Sequence, residues 1–501
     1  MKTSRLSLLT VVAPLFLIAV GAPGAHAQQP PPGSAESPSL EQHLDVLSAK
    51  IDTMSQQLEQ SHAEMEAMRA EISSLRSQLA EKDGSEQAAQ ATADLRASVS
   101  QLQEKSDVLE AAVATHDQTK VESLSKYPVK IYGTMLFTSV SSSGSSDDID
   151  LPIIAMPTPS GSSSGSFSAT ARQSILGVDA SGPHLWGARS SADLSIDFFG
   201  GIPYGDYTTS SGTVRLRTAH ATLDWPNQSL TVAVEQPLIS PRNPTSWVTI
   251  AEPALAWSGN LWTWLPQLEY RATASLHSNQ LTGSFALVDP AAPGPPPSNA
   301  ARTPDASERS RPPGYEARVA DNLDWLGHSF QFGVGGYYSR QDYLYNRKVD
   351  AWAGTADWSI PLFPRAEFSG ELYRGRAIGG LGGGAFKDFV TYNNYTSLRG
   401  LDAEGGWGQL KFTLTPQLEA NLAIGEDGAF DSELAYSDLA TSTSTSPYSN
   451  LAKNQTGFGN IVYRPRTYLL FSGEFRQIRS WPIGYESYRD RLLGLSAGYL
   501  F

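Results

Sequence analysis

Two hydrophobic periods divide this chain. From Leu40 to Leu79 the apolar positions Leu40, Leu44, Leu47, Ile51, Met54, Leu58, Met65, Met68, Ile72, Leu75 and Leu79 step by threes and fours, with Ser61 filling the one gap. That is a heptad seam, and so narrow a stripe buries itself only against another copy. Gly84 interrupts it. A second seam follows at Leu95, Val99, Leu102, Leu109 and Val113, shifted in phase by one residue. The spacing predicts an α-helical coiled coil over 40–120 with a break near 81–92.

At Tyr127-Pro128 the period changes to two. In the stretch 192–198, Ala192, Leu194, Ile196 and Phe198 fall on one face, with Asp193, Ser195 and Asp197 on the other. Such alternation marks strands with one apolar face. We expect sixteen of them, at about 129–141, 168–180, 185–199, 213–225, 229–236, 261–275, 279–288, 315–324, 329–340, 349–361, 365–377, 402–415, 418–426, 454–464, 467–479 and 489–501. The expected connections alternate. "SGPH", "PNQ", "HSN", "WLGH", "FPR", "PQ" and "RPRT" are short, whereas 142–167, 237–260, 289–314, 378–401 and 427–453 are long and rich in Ser, Pro, Gly and Asn. An even strand count with short turns at one end and long loops at the other predicts an all-β transmembrane barrel of 16 antiparallel strands over 128–501. Trp186, Trp225, Trp325 and Trp358 lie beside the short turns, and Trp262, Trp264, Trp352, Trp407 and Trp481 at the long-loop ends. Two aromatic belts are expected where a barrel meets its membrane interfaces.

The first residues read as a signal peptide, 1–27: Lys2 and Arg5, an apolar run from Leu6 to Val20, and an Ala25-His26-Ala27 cleavage site. A Pro-rich linker, 28–39, follows. The chain is therefore expected in the cell outer membrane, with its coiled coil in the periplasm.

Composition narrows the chemistry. The chain has 501 residues, no cysteine and a net charge of -14. Disulfides and thiol chemistry are excluded, and nucleic acid is not an expected partner. "GSSSG" (161–165) has nucleophile-elbow spacing but lies in a Ser/Gly-rich loop. "SSDDID" (145–150) reads as a solvated acidic loop, and the barrel histidines His184, His220, His277 and His328 are dispersed. We expect no enzyme activity, no cofactor and no metal.

Several segments resemble known porins. "VKIYGTMLF" (129–137) and "SATARQSILGVDASG" (168–182) resemble the first two strands of the general trimeric porins of Gram-negative outer membranes. "VEQPLISPRNPTSW…SGNLWTWLPQLEYRAT" (234–273) resembles the fifth strand, inward loop and sixth strand of the dicarboxylate-porin (DcaP-like) group, which also carries an N-terminal coiled coil. The sequence departs from that group around Pro266-Gln267, where Leu265 and Glu269 stand and a basic residue is expected. The resemblance implies a homotrimer, passive diffusion of small polar solutes, anions such as dicarboxylates among them, and a constriction loop at 237–260 carrying Arg242, Trp247 and Glu252, with Glu235 at its root. Alternation supplies lumen-wall candidates: Arg215, Arg217, Glu269, Arg271, Glu316, Arg318, Glu367, Glu371, Lys411, Glu474 and Arg476. Residues 128–501 hold 27 basic and 34 acidic side chains, so charge balance alone leaves ion preference open. An alternative role is a structural tether that spaces the envelope through the coiled coil, with the cell wall as partner.

"LLGLSAGYLF" (492–501) closes the pattern. Leu493, Leu495, Ala497, Tyr499 and Phe501 are expected to face lipid, and Gly494, Ser496 and Gly498 the lumen. In the porins it resembles, a terminal aromatic strand is also what the barrel-assembly machinery recognises, which makes Tyr499 and Phe501 the expected assembly signal.

Overall fold

The computed structural model describes residues 129–162, 164–201, 212–276, 279–292, 303–325, 328–343, 347–441 and 447–501. The expected signal peptide, linker and coiled coil lie outside the described residues.

Sixteen antiparallel strands form one closed barrel. They are β1 (Val129–Ser142), β2 (in two pieces, Ser166–Thr170 and Ile175–Leu185), β3 (Ala188–Asp197), β4 (Arg215–Trp225), β5 (Gln228–Glu235), β6 (Leu265–Leu276), β7 (Asn279–Val288) and β8 (Gly314–Trp325). The second half comprises β9 (His328–Asp342), β10 (Lys348–Phe363), β11 (Ala366–Arg376), β12 (Asp402–Thr415), β13 (Leu418–Ala429), β14 (Leu451–Arg466), β15 (Leu469–Pro482) and β16 (Tyr488–Leu500). Each pairs with its neighbours in sequence. The barrel shuts where β1 meets β16, in register from Thr134 opposite Leu500 to Ser142 opposite Leu492. Among the described residues closure leaves no barrel strand without a partner on either side, which a hydrocarbon surrounding demands.

Alternation sets the two faces. Met135, Phe137, Leu194, Val232, Phe332, Leu422, Ile461, Phe475, Leu493 and Leu495 point outward and are exposed. Their inward neighbours include Thr138, Ser195, Asp357, Glu371, Asn460 and Glu474, all buried. Among the described residues no helix is long and apolar enough to cross a membrane.

Two local expectations are corrected. The first short turn is not "SGPH". Strand β2 runs on through Pro183 to Leu185, and the turn is Trp186-Gly187, with φ of 49° and 80°. Two positive φ values match the twist of a two-residue hairpin. Pro183 has no N–H to give the ladder, and a register shift between Ser181 and His184 absorbs it. Strand β2 is also broken at 171–174, where Gln173 turns inward and is fully buried.

The tryptophan belts are the second correction. Trp186 is exposed at a short turn and Trp352 at the opposite rim. Trp407, however, points inward at 3% exposure and packs with Leu255 and Phe458. Trp262 is buried, edge-on to Trp257 at 5.8 Å. Trp264 lies beneath Arg215 and Arg217, at 5.0 and 4.7 Å from its ring. These three fasten interior structure, because the segment carrying Trp262 and Trp264 enters the barrel.

Candidate functional site

The interior is shaped by loop L3 (236–264), which leaves β5 and runs around the inside of the wall before β6. Its polar groups are met by inward side chains of strands far apart in sequence. Thr355 of β10 donates to the Ile239 carbonyl at 2.8 Å. Glu371 of β11 accepts from Ser240 Oγ at 2.5 Å and from the Arg242 N–H at 2.8 Å. Thr245 N–H donates to Gln409 of β12 at 2.6 Å. Ser246 Oγ donates to Glu474 of β15 at 2.6 Å, and Ser496 of β16 donates to the Trp247 carbonyl at 2.7 Å. Gln173, at the break in β2, donates to the Val248 carbonyl and accepts from the Ile250 N–H, both at 2.8 Å. Arg215 of β4 donates to the Ala251 carbonyl at 2.6 Å. Loop backbone buried inside a barrel needs partners for every polar group, and the wall supplies them. Apolar contacts add to these: Val248 packs with Val140, Ile478 and Leu492.

The expected constriction residues fall on or beside this loop. Arg242 Nε donates to Asp357 at 2.9 Å and its Nη2 to Gln331 at 2.9 Å. Trp247 has the Arg464 guanidinium at 5.7 Å from its ring. Glu235 receives His220 Nε2 at 3.0 Å. Glu252 is enclosed, with its Oε2 lacking a hydrogen-bond partner. Burial pushes the Glu252 carboxyl up to about 8, against the pull of Arg215. Docked L3 therefore holds a proton that a free loop releases. Its docking is strongest below the ordinary carboxylate range and weakens as pH rises from about 4.5 to about 8. We expect amide exchange of residues 249–256, corrected for intrinsic rates, to accelerate through that window. Glu252→Gln should flatten the dependence; an unchanged slope in the variant would refute the assignment to Glu252.

The wall candidates separate into pairs and anchors. Arg215 and Arg217 share Asp197, at 2.7 and 3.4 Å. Arg242 and Arg318 share Asp357, at 2.9 and 2.8 Å. Lys411 and Arg464 share Glu419, at 3.4 and 3.7 Å. Arg271 pairs with Glu269 and Arg476 with Glu474, at 2.8 and 2.6 Å. Glu316 is buried and accepts from the Ile239 N–H at 3.4 Å, so like Glu371 it anchors L3. Glu367 stands opposite Lys411 in the β11–β12 register. Tyr499 and Phe501 are exposed on the outer face.

Sequence reasoning passed over Asp197, Asp357, Glu419 and Arg464. Asp197 was readable, since alternation had already placed it on the polar face of its strand. It also passed over His220, which bridges Asp193 and Glu235. Its signal was weak because a histidine on a half-polar strand has no characteristic spacing.

No family model matches the chain, and no curated protein sequence matches it. Solved structures do match. The outer membrane channel DcaP of Acinetobacter baumannii superposes with a TM-score of 0.57 at 16% identity, covering 75% of this chain and 99% of that one. Pseudomonas putida OprB matches at a TM-score of 0.48 and 10% identity, covering 74% and 94%. An anion-selective porin from Comamonas acidovorans matches at 0.45 and 10%, covering 75% and 100%. The likeness to DcaP is one of fold: a sixteen-strand antiparallel barrel.

Proposed function

We propose that this protein is an outer-membrane porin that passes small hydrophilic solutes by diffusion and favours anions. What supports the channel reading is a closed sixteen-strand barrel with a polar interior, an apolar exterior and a loop laid against its inner wall. A barrel of this strand number is wide enough to hold water.

The anion preference rests on how the shared carboxylates are layered. Asp197 and Asp357 are 0% and 1% exposed, and Glu419 13%. Each lies behind two cations. Arg464 and Lys411, at 35% and 33%, are more exposed than the Glu419 they share. Within each of these three groups one carboxylate is shared by two cations, so each group carries a net positive charge. Fixed positive charge in a confined aqueous path raises the local concentration of anions. The chain is taken to assemble as a homotrimer, in keeping with the resemblance of its first strands to trimeric porins. The tether role would belong to residues outside those described.

Reversal potentials in a KCl gradient across planar bilayers test this. We expect stepwise currents with a chloride-selective sign, and the double variant Lys411→Gln, Arg464→Gln to lower the chloride-to-potassium permeability ratio roughly two- to threefold. Folded protein without stepwise currents would refute the channel. A potassium-selective sign that the double variant leaves unaltered would refute the anion preference.

A further inference from the structure

On the side of the interior formed by β3, β4 and β5, one imidazole touches two carboxylates. His220 Nδ1 lies 2.8 Å from Asp193 Oδ2, and Nε2 lies 3.0 Å from Glu235 Oε2. All three side chains face inward. Asp193 and His220 are cross-strand partners, His220 is opposite Ala233, and the chain neighbours Leu194 and Val232 point outward and are exposed. The carboxylates are 33% and 34% exposed and the imidazole 24%. This group is therefore in contact with interior water, unlike the buried carboxylates that fasten L3.

The chemistry of the contact fixes its charge. An ionised carboxylate only accepts hydrogen bonds, and a neutral imidazole has a single N–H. Both contacts are made at once only by the imidazolium, and the cluster then carries one net negative charge. When the ring loses its proton, one contact is lost and two uncompensated carboxylates face the water. The same three residues thus present two different charges to a passing ion. Other charged groups adjoin them. Arg217, already paired with Asp197, is near Glu235, and Tyr132 of β1 and Asp179 of β2 stand on the far side of Asp193. Glu235 Oε1 also accepts from the Gln236 N–H at 2.7 Å, which holds its carboxylate in place.

We infer that His220 is a specificity-determining residue: protonated, it masks the acidic pair Asp193 and Glu235, and deprotonated, it exposes that pair and shifts the channel toward cations. The inference rests on the channel reading above, and L3 enters it only through the Gln236 N–H at its root.

The test is the potassium-to-chloride permeability ratio of purified full-length protein in planar bilayers, measured from about pH 5 to about pH 10. For wild type we expect one upward step with pH, of roughly two- to threefold. His220→Gln is uncharged at every pH, so it should sit at the high-pH ratio throughout and show no step. In the triple variant Asp193→Asn, His220→Gln, Glu235→Gln no charged or titrating group of the cluster is left, and the ratio should stay low and flat. Single-channel conductance in each variant shows that the barrel has assembled. A flat wild-type ratio, or a step retained in His220→Gln, would overturn the inference while leaving the channel intact. Absence of currents from wild type would instead overturn the channel reading itself.

Discussion

Gly259→Val should release the returning limb of L3 and raise single-channel conductance, by about twofold or more. Gly259 has φ of +100°, and a Cβ there would lie 2.1 Å from the carbonyl oxygen of Gly406 and 2.7 Å from that of Glu426. The wall at this point is made of glycine as well. A Cβ on Gly425 would lie 2.1 Å from the Ser258 carbonyl oxygen. Loop backbone therefore rests directly on strand backbone, with no side chain between to give way. A residue other than glycine in such a conformation costs about 1–3 kcal/mol before any collision. The collision adds to this, because barrel strands held on both sides do not recede. The limb is held from elsewhere by Asn454, which donates to the Trp257 carbonyl at 3.1 Å, and by Ser258 with Thr456 at 2.9 Å. Both contacts go when the limb lifts. Strand pairing is untouched, so thermal unfolding of the barrel should shift little. Gly425→Ala makes the same collision from the wall and should give the same phenotype. Wild-type conductance in both variants, with L3 still protected from added protease, would refute this packing.

The barrel was readable from sequence because its signals are local and repeated. An outward apolar residue at every second position, such as Leu493, Leu495 and Tyr499, leaves the same mark in every strand. The long and short connections were readable too, from Ser, Pro, Gly and Asn clusters. Ends were less certain where a residue serves two masters. Pro183 looks like a turn residue, yet sits in a strand beside a register shift. Trp407 looks like a belt residue, yet faces inward because L3 offers it Leu255. The site was half readable. Alternation put Arg215, Arg318, Lys411 and Glu474 on the inner face, and they are there. It said nothing of which carboxylate each cation shares. Arg242 reaches Asp357 across 115 residues of chain, and Ser246 reaches Glu474 across 228. Such pairings are set by barrel closure and by the course of L3, neither of which has a local pattern.

Deleting Phe501 should lower the amount of assembled barrel by about tenfold, while the molecules that do insert conduct as wild type. The residue continues β16 by one more pair: its N–H donates to the Gly133 carbonyl at 3.1 Å, and the Gly133 N–H donates to its carbonyl at 3.0 Å. This pair lies at the seam where the first and last strands meet. Without it two backbone groups of β1 lose their partners at a surface that lipid surrounds, where water is a poor substitute. The ring lies over Gly133, its Cζ 2.9 Å from where a Cβ on that residue would be, and it is half exposed on the outer face. Tyr499 stands beside it in the same row, with its ring 5.7 Å from that of Tyr468. None of these groups faces the interior, which is why conductance should not change. We propose a second loss, of the aromatic end as an assembly signal. Phe501→Ala separates the two effects, since it keeps the backbone pair and removes the ring. It should refold in detergent as wild type does and still reach the membrane poorly in cells. Deletion should impair both. Membrane levels equal to wild type for both variants would refute the seam and the signal together, whereas normal levels for Phe501→Ala alone would leave the seam as the whole role of this residue.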